Sequence, residues 1–105
     1  MAPTAPCSDY VIGRLRSAEA QIRSLGVRRL ALFGSVARGE ASADSDVDLL
    51  VEFAPGQKSF DRFLALSELL ESLLERPVEL VTTEALSPFL GPHILAEAAD
   101  VLRAA

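Results

Sequence analysis

Two aspartates one residue apart, Asp46 and Asp48, stand at the mouth of an apolar run that continues Leu49-Leu50-Val51. Another apolar run ends in Gly34-Ser35, with ten residues between Ser35 and Asp46. Side chains at i and i+2 of a strand share a face, roughly 6.5–7 Å apart along it. Two bare carboxylates so placed repel each other, and one of them tends to hold its proton to higher pH. A divalent cation removes that penalty. Mg²⁺ typically takes one or two carboxylates and completes its shell with phosphate oxygens and water. Glycine lets backbone approach a phosphate closely, and a helical turn after it offers free N–H groups. A carboxylate pair beside a Gly-Ser corner is therefore equipment for phosphoryl transfer from a nucleoside triphosphate.

Three further residues could join that chemistry. Arg38, one turn beyond Ser35, can reach a terminal phosphate oxygen. Ser45 either braces the aspartate loop or hydrogen-bonds a carboxylate. Glu79, in Pro77-Val78-Glu79-Leu80-Val81, projects from its strand opposite to Val78 and Leu80. If its strand neighbours that of Asp48, Glu79 lies beside Asp48 and can accept a hydroxyl proton or ligate metal. Each residue alone has a plainer reading: Asp-x-Asp as a solvated loop, Gly-Ser as a turn, Arg38 as a surface arginine, Glu79 as the exposed side of a strand. Gly-Ser, ten residues, then Asp-x-Asp is the specific part, expected by chance in on the order of one such chain per thousand.

The elements that must position these residues follow from periodicity. Ser8 is placed as the N-cap of a helix running to Leu25, with Ile12, Leu15, Ile22 and Leu25 on one face. Gly26 suits the left-handed position that ends it. Val27–Phe33 reads as a buried strand, 36–38 as a helical turn, and 40–46 as a loop. Val47–Phe53 is the second strand, its Val47, Leu49 and Val51 turned to the core. Ser59 caps a helix over about 60–75, with Phe60, Phe63, Leu64, Leu66, Leu70, Leu73 and Leu74 as a broad apolar face. Pro77 stops it, 78–81 form a third strand, and 92–103 a last helix with His93 in its first turn. The fold class is α/β (α+β): a small mixed sheet of three or more strands flanked by helices.

The chain has 105 residues, half of them hydrophobic, and a formal net charge of −5. Residues 1–7 read as a frayed Pro-rich tail and 8–105 as one domain. The acidic balance argues against direct nucleic-acid binding, which needs a basic face. Cys7 is the single cysteine, so neither an internal disulfide nor a cysteine zinc site forms. No signal peptide or membrane span is expected, which places the chain in the cytoplasm.

The stretch from Gly34 to Glu40, with Ser45 to Val51, resembles the signature of the minimal nucleotidyltransferases of the DNA polymerase beta superfamily. Val78-Glu79-Leu80-Val81-Thr82 resembles that family's third-carboxylate strand. The resemblance extends over about residues 26–103. It implies the polymerase-beta-like nucleotidyltransferase fold, ATP as substrate and Mg²⁺, with two ions. Asp46, Asp48 and Glu79 would be catalytic and hold metal, and Gly34, Ser35 and Arg38 would bind the nucleotide. Short members are typically antitoxins paired with a HEPN-domain ribonuclease toxin, to whose tyrosine hydroxyl they transfer AMP. The family usually has aspartate where this chain has Glu79. A non-catalytic antitoxin that inhibits its toxin by direct binding is the alternative. A third reading is transfer to a small hydroxylated molecule.

Overall fold

The two apolar runs pair with each other. In a computed structural model, which describes residues 5–89 and 91–103, β1 (Val27–Phe33) and β2 (Val47–Phe53) are antiparallel neighbours at the centre of a four-stranded sheet. From β2 the chain crosses through α4 (Phe60–Leu74) to β3 (Val78–Thr82), which lies parallel to β2. β4 (Ala99–Leu102) is antiparallel to β1 on its other side, giving the order β3-β2-β1-β4. A helix is the usual way to join parallel neighbours, because a tight hairpin cannot reverse direction twice.

Strand alternation divides the core into two layers. Leu30, Leu32, Val47, Leu49 and Val51 pack beneath α1 (Ser8–Arg16), α2 (Glu19–Ser24) and α4. The orientation expected for the β2 valines and Leu49 holds. Ala31, Phe33 and Leu50 form a smaller apolar cluster on the other face, against Leu86 and Ile94. Ile94 belongs to α5 (Gly91–Glu97), and Leu86 follows a 3-10 turn at Thr83–Ala85. Asp48 and Glu79 alternate onto this thinner face.

Four expectations are corrected. The N-terminal helix is broken between α1 and α2. The Ser17 hydroxyl donates back to the Arg14 carbonyl at 2.6 Å, and Ala18 N–H bonds to Leu15 O, one residue short of helical spacing. That tightening redirects the chain so that Ile22 is fully buried. The cap of α1 is Cys7 rather than Ser8, with no side-chain capping bond. The last helix ends at Glu97, and residues 99–102 form β4. The edge of β1 carries unpaired backbone groups that a helix cannot satisfy, and Val101 and Leu102 are buried by supplying a strand there. The apolar face of α4 is narrower than expected: Leu66, Leu70 and Leu74 are buried, but Phe60 is 73 % and Leu64 43 % exposed.

Other local signals act as read. Gly26, just past α2, takes φ +88°. Ser59 accepts a hydrogen bond from Arg62 N–H at the start of α4. Ser59→Ala is expected to cost about 1 kcal/mol, seen as a lower urea midpoint with unchanged slope. Ala5, Pro6 and Cys7 carry no regular structure, and the rest of the expected tail lies outside the described residues. Among the described residues, no helix is long and apolar enough to cross a membrane.

Candidate active site

The sheet register sets three candidate positions in a row. Phe33 of β1 faces Asp48 of β2, and Asp48 faces Glu79 of β3. The chain leaves β1 at Gly34, which opens α3 (Gly34–Arg38). Adjacent strands lie roughly 4.8 Å apart. The Gly-Ser corner, Asp48 and Glu79 therefore follow one another across the sheet on one face, with Asp46 just before β2.

Gly34 is required at its position on two counts. Its φ of +78° is a left-handed value, and a Cβ there would sit 2.9 Å from the Asp48 Cγ. The backbone at the corner thus lies directly against the Asp48 carboxyl. Asp48 is partly buried, and its carboxyl is pushed up from 3.8 to about 6. Burial contributes most, followed by the charge of Glu79, a hydrogen bond shared with Glu79, and the charge of Asp46, against a smaller opposing pull from Arg38. The crowding expected from the Asp-x-Asp spacing is therefore present, with Glu79 the larger contributor.

Asp46 is exposed just before β2, on a loop with its own bracing. Ser45 Oγ accepts from Ser42 N–H at 2.8 Å, so of its two expected roles Ser45 takes the bracing one. Arg76, between α4 and β3, donates to the carbonyls of Ala43 (3.0 Å) and Ser45 (3.3 Å). Sequence reasoning does not single out Arg76, since a lone arginine before a proline carries no local signal. Ser35 is half-buried in α3, one residue past Gly34.

Arg38 reaches the corner but is already engaged. Its Nη1 donates to both oxygens of Glu97, at 3.1 and 3.3 Å, and its Nε donates to Glu40 at 3.2 Å. These bonds, Glu40's foremost, raise the guanidinium pKa further. Glu97 also accepts from Gly34 N–H at 3.0 Å. That bond, helped by Arg38, holds the Glu97 carboxyl below its ordinary value despite partial desolvation. Glu97 is a second residue that sequence reasoning misses. Periodicity places it within a continuous helix, and only the α5–β4 junction brings it to Gly34. His93 is exposed in the first turn of α5.

A cleft of about 360 Å³ opens beside the carboxylates, lined by Phe33, Asp48, Glu79, Val81, Leu86 and Ile94 among others. Another, of about 410 Å³, lies between Cys7, Tyr10 and the end of α4 and contains none of the row. Among the described residues, no three His, Cys, Asp or Glu side chains form a metal cage by themselves. The Asp46–Asp48 donor set suits instead an ion that draws its remaining ligands from phosphate and water.

Residues 15–100 match the nucleotidyltransferase domain family. Protein adenylyltransferase MntA of Thermococcus cleftensis is 44 % identical over 72 residues, covering 69 % of this chain and 72 % of that one. A solved structure provisionally assigned as a minimal nucleotidyltransferase superposes with TM-score 0.69 at 39 % identity, over 84 % of this chain and 93 % of that one. A chain of the complex between a tri-AMPylated Shewanella oneidensis HEPN toxin and an MNT antitoxin shares the fold, with TM-score 0.62 at 19 % identity, over 88 % and 72 % of the two chains. The chain is thus a nucleotidyltransferase by descent and by fold, and it belongs to the minimal members of the nucleotidyltransferase domain family.

Proposed function

We propose that this chain is a Mg²⁺-dependent protein adenylyltransferase that transfers AMP from ATP to a tyrosine hydroxyl of a partner HEPN toxin, and that it acts as the toxin's antitoxin in the cytoplasm. The observation that carries this reading is the row made by Gly34 at the end of β1, Asp48 of β2 and Glu79 of β3. In-line displacement needs leaving group, reacting phosphorus and nucleophile in one line. Gly34, Ser35 and Arg38 at one end hold the β- and γ-phosphates. Asp46 and Asp48, in the middle, would hold Mg²⁺, two ions in the complete site, which neutralises charge on the phosphate oxygens. Glu79, at the far end, takes the proton of the acceptor hydroxyl as its oxygen bonds to the α-phosphorus and pyrophosphate departs.

Glu79 is one methylene longer than the aspartate usual in the family, and misplacement on that scale can cost roughly 10²-fold in rate. Its register partner is Asp48 and the two line one cleft, which supports the reading that the longer side chain still reaches the reacting centre. The toxin partner is supported by the names of the similar adenylyltransferase and of the complex sharing the fold.

The test is intact-mass analysis of the cognate HEPN toxin after incubation with this protein, ATP and Mg²⁺. A gain of one or more AMP masses is expected, reduced about 10²-fold in rate by Glu79→Gln. A toxin that is neutralised without any mass gain would replace this reading with inhibition by direct binding.

A further inference from the structure

Two of the three residues assigned to phosphate have donors occupied by one of the chain's own carboxylates. The Gly34 N–H and the Arg38 Nη1 both end on Glu97, at 3.0 Å and at 3.1–3.3 Å. A carboxylate and a phosphate present the same thing to such donors, namely anionic oxygens that accept charge-assisted hydrogen bonds. We propose that Glu97 is a displaceable occupant of the nucleotide site, holding Gly34 and Arg38 while the site is empty and giving them up to the incoming triphosphate. The proposal rests on the reading in which Gly34 and Arg38 bind phosphate.

Electrostatics requires the exchange. A triphosphate oxygen at these donors would meet the Glu97 carboxylate within hydrogen-bond range, where like charges repel. The triphosphate carries more negative charge and brings its cation with it, so it is the stronger claimant. The fold permits the move. Glu97 ends α5, and Ala98 separates it from β4. β4 has its own anchor, since Arg29 binds Asp100 at 2.9 Å. The Glu97 side chain is 30 % exposed, so rotation about its own bonds carries the carboxylate into water without unpairing the strand. Arg38 keeps a second carboxylate, Glu40, on its Nε, which leaves Nη1 as the arm that changes partner. The consequence is nucleotide affinity held below what the donors could provide, with an empty site whose donors stay satisfied.

Glu97→Gln keeps an oxygen for the Gly34 N–H and removes the charge. Calorimetric titration with α,β-methylene-ATP and Mg²⁺, an analogue that cannot react at the transferred phosphorus, should show the variant binding about tenfold more tightly than wild type (~1.4 kcal/mol). A folded variant that binds no more tightly than wild type would overturn the proposal and leave the nucleotide reading standing. Absence of binding by both would overturn that reading, and the proposal with it. Should the variant fail to fold, the wild type carries the test. Carbon-13 signals of the Glu97 carboxyl are expected to move to a free-glutamate position as nucleotide is added, and a signal that stays put means that no exchange occurs.

Discussion

Asp48→Asn is expected to abolish transfer and, in the same molecule, to make the metal-free protein more stable at pH 7. The loss of activity should be on the order of 10²–10³-fold or more, since a preorganised charged group at the reacting centre is removed. The gain in stability follows from the direction in which the Asp48 carboxyl is displaced. Its value in the folded protein is about 6 against an ordinary 3.8. The folded state therefore holds a proton that the unfolded chain has released, and stability falls as pH rises through that interval. Above it the loss is complete. The gap corresponds to at most ~3 kcal/mol, and partial exposure of the group reduces this to about 1–2 kcal/mol. Urea unfolding of wild type and variant at pH 5 and pH 7, without divalent ions, reads the effect. Wild type should lose stability between the two values, and Asp48→Asn should lose much less. A variant no more stable than wild type at pH 7 would mean that Asp48 is not under repulsion in the folded protein.

Gly34→Ala is expected to damage fold and site together. A left-handed alanine costs roughly 1 kcal/mol in backbone strain. Its methyl group would also sit against the Asp48 carboxyl, with the Cγ at 2.9 Å. Together these should destabilise the protein by about 2–3 kcal/mol and lower transfer by at least roughly 10²-fold through displacement of Asp48. A double-mutant cycle separates the two causes. In an Asp48→Ala background the carboxyl contact is gone and only the close Cβ at 3.1 Å remains, so Gly34→Ala should cost little beyond the backbone part, and the two changes should be non-additive by about 1 kcal/mol. Additive losses would show that the corner and the aspartate strand relax independently.

Much of this site is legible in the amino-acid sequence because its logic is local. Val27–Phe33 and Val47–Phe53 are apolar runs bounded by Gly34 and by Ala54-Pro55-Gly56, so residue type alone places their limits. Asp48 takes its face by strand alternation, Asp46 stands on the loop just before β2, and Glu79 meets Asp48 once β3 neighbours β2. What escapes is set by partners far along the chain. The periodicity of residues 92–103 fits a helix, and only the open edge of β1 makes 99–102 a strand. Glu97 is hidden for the same reason, because its partner Gly34 is 63 residues away. The break at Ser17–Ala18 has a local cause, a serine hydroxyl turned back on the helix, but nothing in residue type distinguishes that serine from one facing water.

The place of β4 also bears on the order in which the molecule assembles. Its link to β1, as in the bond between Arg29 and Asp100, spans 71 residues, whereas β1 and β2 meet across a short connection. Closing a longer loop costs more chain entropy, so distant pairings are slow to be rewarded. The β1–β2 pair can form early and bring Gly34 to Asp48. The strand that follows Glu97 closes the longer loop. If the pairings form in that order, the proposed phosphate corner would stand open before its own carboxylate arrives, and nucleotide present then would meet no internal rival.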